Sequence, residues 1–253
     1  MASIFNAVSE AFSEKLAALK FVIYSIPVYL CIELFVRNHT IVMNFWTLLV
    51  AVLLFALLTQ GISNVRDNKD EIISLNPLSI IKNLAKCVVA VLPQALFYLY
   101  LAYHIVTNVK IPLEYDNIDL IFNIIIYSFF GSVILTIYMS FIKYGKISDA
   151  YNYKVIFKSL MDVFFAFLFF IPQFVFVNLI LVGPIAYLFY FIFHIPFTNW
   201  GFLFCVALAV IVDVSVTANY FAQMSYEQIS NGNDEDDYSF SKVIEDIDSF
   251  KNT

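Results

Sequence analysis

Six apolar runs, each close to the length a helix needs to cross a bilayer, constrain this chain more than any other feature of it. A transmembrane helix takes roughly 20 predominantly apolar residues, because each residue rises ~1.5 Å through a hydrocarbon core about 30 Å thick. The runs lie at 21–36, 41–62, 87–106, 119–141, 163–182 and 201–224, and the first borrows 16–20 to reach that length. Oil supplies no water to satisfy backbone N–H and C=O groups, so such runs must be helices. The expected fold class is therefore all-α, a polytopic membrane protein with six transmembrane helices. Composition agrees, with 61% hydrophobic and 13% charged residues, against about a quarter charged in soluble domains.

Basic residues in short loops set the orientation of such a bundle. With the N-terminus inside, twelve Lys and Arg face the cytoplasm and only Arg37 and Lys110 do not. Both termini are thus expected on the cytoplasmic side of an inner (plasma) membrane. The first twenty residues carry charges and an amphipathic pattern instead of a basic region leading straight into an apolar core, so they are expected to be retained. Within the inward set, Lys82, Lys86, Lys143, Lys146, Lys154 and Lys158 form a basic face suited to anionic lipid headgroups.

A repeat organises the runs. Ile62-Ser63-Asn64, Ile147-Ser148-Asp149 and Ile229-Ser230-Asn231 each follow an apolar run, 85 and then 82 residues apart. Small polar residues can turn a chain out of a helix, so the motif reads as the exit of the second helix in each of three hairpins. Each first helix carries an interior proline, Pro27, Pro93 or Pro172. The expected units are about 1–64, 76–149 and 150–231, forming one membrane domain over 1–232 with an acidic tail at 233–253.

An amphipathic surface helix is expected before each hairpin. Phe5, Val8, Phe12, Leu16 and Leu19 make the first apolar stripe, Leu78, Ile81, Leu84 and Val88 the second, and Tyr153, Ile156, Phe157 and Leu160 the third. A fourth, Phe240, Val243, Ile244 and Ile247, lies in the acidic tail and needs burial on the protein itself or on a partner. Asn76 before Pro77 has the form of an N-cap followed by proline at the first helical position, and Ser148 is a candidate for the same duty. The loop after the fifth run is too apolar for free solution. Gly183-Pro184 is expected to break that helix, leaving 185–195 interfacial or re-entrant, with Trp200 at the headgroup level.

Ionisable residues inside lipid are costly, which makes them the first candidates for function. Asp213 lies near the middle of the last run. It can bind a cation or relay a proton, or it can be a neutral clasp hydrogen-bonded to a neighbouring helix. Gln94, Gln173, Asn123, Asn178 and Asn219 are candidates to line a polar pathway with it, or to hold helices in register. Glu33 and Arg37, four residues apart, read as a helix-surface ion pair.

Cys31, Cys87 and Cys205 all fall in apolar runs without paired spacing and read as small hydrophobes. His39, His104 and His194 are weak metal candidates on the outer side, lacking ligand spacing, so no metal and no cofactor is expected. The net charge of −6 does not by itself speak for or against nucleic acid, but the basic residues border the membrane runs, so a bilayer is the expected partner and no nucleic acid is expected.

The segment GKISDAYNYKVIFKSLMD, a small polar turn and an aromatic amphipathic helix leading into a proline-containing run, resembles a known group. This is the broad set of bacterial and archaeal polytopic membrane proteins related to the membrane domain of glycerophosphodiester phosphodiesterases. The resemblance covers about the last two thirds of the chain. It implies a helical membrane fold without an assigned activity. It carries over no catalytic residue, because the phosphodiesterase domain itself is not in this sequence.

Three function classes follow. A non-catalytic scaffold or membrane subunit fits the surface helices and acidic tail. A transporter or channel for a small solute or lipid fits Asp213 and the interrupted fifth run. An intramembrane enzyme would need two facing acids at depth, a nucleophile elbow, an HExxH helix or a phosphate loop, and the sequence offers none of these.

Overall fold

A computed structural model describes residues 3–14, 16–38, 45–67, 69, 71–108 and 118–229. The described residues are helical and contain no strand. The elements are α1 (Ile4–Ser13), α2 (Ala17–Asn38), α3 (Phe45–Arg66), α4 (Pro77–Asn108), α5 (Ile118–Tyr144), α6 (Tyr153–Tyr187) and α7 (Trp200–Gln228). A 3₁₀ turn, Ile147–Tyr151, joins α5 to α6, and a π-helical turn, Leu188–Ile192, extends α6. Helices α2 to α7 are the six that are long and apolar enough to cross a membrane.

Helix α7 is the hub. Ala207, Ile211, Ser215, Ala218, Ala222 and Ser225 recur every three or four residues along it and are all buried. Small side chains at that spacing let neighbouring backbones approach closely, which is how helices associate where the surroundings are as apolar as leucine. Helices α1, α2, α3, α5 and α6 all pack on α7. Where α3 crosses α7, a Cβ added to Gly61 would lie 2.8 Å from the Ala218 Cβ and 3.2 Å from Ile72 Cγ2. Large apolar side chains point outward, among them Phe169, Leu179 and Ile125. That is the reverse of a water-soluble bundle.

Both ends of the described chain lie at one end of the bundle, called basal here. The Ser3 backbone N–H donates to Gln223 Oε1 near the end of α7 at 3.2 Å, and the Tyr226 hydroxyl donates to the Arg66 carbonyl at the end of α3 at 3.4 Å.

Several expectations are corrected. In the first unit α2 lies mainly on α7 and only lightly on α3, while α4–α5 and α6–α7 pack along each other. Of the surface helices within the described residues, α1 is the separate one, set off by Glu14 and by Leu16 at φ 60°. It docks through Ile4 and through the small Ala7 and Ala11, which let it lie against α7, and so Phe5, Phe12, Leu16 and Leu19 face outward. The second and third stripes are the first turns of α4 and α6, where nothing interrupts the helix. Asn76 caps α4 as expected, its Oδ1 accepting from the Leu78 N–H at 3.1 Å, whereas Asn152 takes the place of Ser148 at the start of α6.

The repeated tripeptide does not mark a common exit. Ile62-Ser63-Asn64 is buried inside α3, Ile147-Ser148-Asp149 opens the 3₁₀ turn after Gly145 (φ 67°), and Ile229 caps α7 while its two followers lie outside the described residues. Serine and asparagine stay helical in α3 because Asn64 Nδ2 donates to the Ile72 carbonyl at 3.0 Å, a tertiary partner that replaces a turn. Pro184 does not break α6 either. A proline costs one helical hydrogen bond but keeps a helical φ, and the reversal comes later, at His194 (φ 54°), where the Ile195 N–H donates to the Phe189 carbonyl at 2.8 Å. Residues 185–192 therefore prolong the helix, and Tyr190 stacks on Phe197 across the turn. The acidic tail and its stripe lie outside the described residues.

Candidate functional site

At the middle of α7, Asp213 Oδ1 accepts a hydrogen bond from Asn178 Nδ2 of α6 at 3.1 Å, and Asn178 Nδ2 also donates to its own-helix Phe174 carbonyl at 3.1 Å. Among the six polar candidates this is the one pairing between them. Gln94 is buried elsewhere, donating through Nε2 to Ala90 O at 3.1 Å and to Ala150 O of the 3₁₀ turn at 2.8 Å. It clamps α4 to the α5–α6 connection. Asn219 is buried at the α1 interface, donating to Glu10 and accepting from Gln223 Nε2 at 2.6 Å. Gln173 and Asn123 are half-buried on α6 and α5 and join neither pairing among the described contacts. The polar residues thus fasten three separate helix junctions.

The basal end holds a cluster that the sequence reading missed. Lys20, 3% exposed, forms an ion pair with buried Glu14 and a second with Glu71 Oε2 at 3.0 Å. The segment 71–74 is drawn in with it. The Ile73 N–H donates to Glu14 Oε2 at 3.4 Å, the Ser74 N–H to Gln60 Oε1 at 3.3 Å, and the Tyr24 hydroxyl to the Ser74 carbonyl at 2.7 Å. Burial alone would raise the Glu71 carboxyl, but hydrogen bonds from Lys20 and Ser74 and the charges of Lys20 and Lys69 hold it below the ordinary glutamate value. The apolar pair Ile72-Ile73 between Asp70 and Ser74 was the available signal, since two consecutive isoleucines in a polar loop seek burial.

Of the basic face, Lys82, Lys86, Lys146, Lys154 and Lys158 are exposed. Lys143 is corrected: it is buried, and its Nζ donates to the Ile229 carbonyl, because a cation at the end of α7 meets carbonyls that have no helical partner. Glu33 and Arg37 pair as expected. His104 is exposed at the end of α4, His194 sits in the α6–α7 turn, and His39 lies outside the described residues. Among the described residues no three His, Cys, Asp or Glu side chains gather in a group able to hold a metal ion.

A cleft of about 650 Å³ lies between α4 and α6, both of which pack on α5. Val88, Val91 and Leu92 of α4 face Phe164, Leu168 and Ile171 of α6, with Ser128, Gly131 and Tyr138 of α5 behind and Phe55 of α3 beside Tyr138. It is open on one side, nearly all its lining is apolar, and a Cβ added at Gly131 would meet nothing within 4 Å. Small residues on α5, Ser128, Gly131 and Ser132, create the space. Their spacing was readable in the sequence, but a cavity depends on the partner helices standing apart, which no single run reveals.

These features define a class: a helical bundle with six long apolar helices among the described residues, an apolar cleft open on one side, and polar residues engaged at its helix junctions. Compared with known protein families, curated proteins and solved structures, the chain matches none.

Proposed function

We propose that this is a non-catalytic integral membrane protein, a scaffold or membrane subunit of a larger assembly, with both termini in the cytoplasm and the basal end at an anionic leaflet. The observation carrying this reading is that these ionisable groups, buried or half-buried, are engaged in contacts between elements of the fold. Glu14, Lys20 and Glu71 satisfy one another, Lys143 caps α7, and Asp213 is held by Asn178. Groups committed in this way fix the structure and are poor carriers of a solute or a proton. The outward apolar surface of the six long helices and the exposed lysines at the basal end support placement in an inner membrane with anionic lipid as partner. The acidic tail is the proposed contact for a protein partner. The same reading accommodates the resemblance to the membrane proteins related to the phosphodiesterase membrane domain.

The transport reading has one observation in its favour, Asp213 in mid-helix. The experiment separating the two is reconstitution into liposomes carrying a pH gradient and a potassium gradient. Wild type and Asp213→Asn should both leave the gradients standing as empty liposomes do. Dissipation by wild type that Asp213→Asn abolishes would establish a pathway through Asp213 and overturn the scaffold reading.

A further inference from the structure

The apolar cleft is neighboured, toward the basal end, by a separate and smaller recess. Three helices lead from it toward the basal end in step: α4 from Val91 through Cys87 to Lys86 and Asn83, α5 from Tyr138 to Phe141 and Gly145, and α3 from Phe55 to Thr59, Ser63 and Arg66. There they line a small recess that is more polar than the cleft, with Arg66, Lys86 and Asn83 in its wall beside Ile62 and Phe141. The Arg66 guanidinium is positioned by Ser63 Oγ at 3.0 Å, the Ile142 carbonyl at 3.2 Å and an ion pair from Nε to Asp67 Oδ1 at 2.9 Å, so that Lys86 supplies the uncompensated charge of the recess, and it lies so close to Gly145 that a Cβ there would sit 2.1 Å from Nη1. Lys86 is exposed and has no ion pair among the described residues, and Lys82 stands one turn further out on the same helix.

We propose that this composite site binds one anionic phospholipid, with an acyl chain in the cleft between α4 and α6 and the phosphate over Lys86 and Arg66. The inference rests on the reading of the chain as membrane-embedded with its basal end at the headgroups. A cleft of about 650 Å³ falls within the ~300–1,000 Å³ typical of ligand sites. Its open side faces the exposed residues Leu92, Leu168 and Ile171, where acyl chains are the surrounding medium. Charge selects among lipids. A zwitterionic headgroup brings an ammonium to a wall already carrying Lys86 and Arg66, whereas an anionic one brings net negative charge. A free phosphate cannot use the cleft.

Purified full-length protein in detergent, titrated with phosphatidylglycerol and with phosphatidylcholine of the same chains, tests this by native mass spectrometry. Wild type should hold one phosphatidylglycerol in preference to phosphatidylcholine. Lys86→Gln should reduce that preference roughly fivefold, the equivalent of about 1 kcal/mol per surface lysine. Gly131→Leu fills the cleft from a position with open space around it, so it should keep its helicity and lose affinity for both lipids. Glycerol phosphate, the headgroup probe without chains, should leave no adduct. Equal affinity for the two lipids in wild type, undiminished lipid binding by Gly131→Leu, or binding of glycerol phosphate as tight as lipid would each overturn the site. Failure of the membrane reading is distinguishable, because the protein would then be released from membranes by alkaline carbonate. Retention in membranes without lipid preference refutes the site alone.

Discussion

Replacing Lys20 by methionine should be among the most damaging single changes in the chain. The methionine stem fits where the lysine stem lay, so packing is largely kept, and the change isolates the charge. The Lys20 and Glu14 side chains are only 4% and 1% exposed, so the variant leaves a carboxylate out of water with the Ile73 N–H at 3.4 Å as its remaining described donor. Removing one partner of a buried pair costs ~3–5 kcal/mol, because the penalty of an uncompensated buried charge is added to the lost attraction. At roughly 2–4 °C per kcal/mol for a chain of this size, Tm should fall by roughly 6–20 °C. The double variant Lys20→Met/Glu14→Gln removes both charges and keeps an oxygen to accept from Ile73, so it should recover most of that loss. Glu71, with a side chain 40% exposed, can be rehydrated and adds little. A thiol-reactive dye reads the transition well. With Cys31 and Cys205 changed to alanine, Cys87, 1% exposed, reports only when the bundle opens. If single and double variants lose the same Tm, or the single variant loses less than about 3 °C, the ion cluster does not anchor the basal end as argued.

The same assay tests the α3–α7 crossing. Gly61→Ala should destabilise by ~1–3 kcal/mol through overpacking, and Ala218→Gly added to it should restore stability by returning the missing space. Acid should loosen the basal cluster. The folded Glu71 lies below its ordinary value, so its contribution is present above the unfolded glutamate pKa and disappears as pH falls below about 5 and through the folded value. Tm measured against pH should therefore drop more steeply on the acid side for wild type than for Glu71→Gln.

That the chain is all-helical among its described residues, with six long apolar helices, was legible because six apolar runs of about 20 residues are long enough to be helices whatever their neighbours. Boundaries held where local chemistry decides them, as at Asn76-Pro77. They failed where a distant partner decides. Ser63 and Asn64 look like a turn until Ile72 supplies a carbonyl, and Gly183-Pro184 looks like a break in a helix that continues to Tyr187. The hub role of α7 was written in its small residues from Ala207 to Ser225, a spacing that matters only once five other helices are known to converge on it. Asp213 drew notice as an isolated charge, and Asn178 was named beside it, but nothing in either run says that they meet. The Glu14–Lys20–Glu71 cluster joins residues up to 57 positions apart, and of it the sequence signals only the burial of Ile72-Ile73, not the ion pairs.

The arrangement of six crossings with both ends on one side is most directly tested by single cysteines in a cysteine-free background, labelled with a membrane-impermeant maleimide in intact cells and in inverted vesicles. Ser3→Cys and Lys146→Cys, at the basal end, should react only in inverted vesicles, and Thr198→Cys, in the α6–α7 turn, only in intact cells. Ser3 and Lys146 reacting from opposite sides, or Thr198 reacting from the same side as both, contradicts the account.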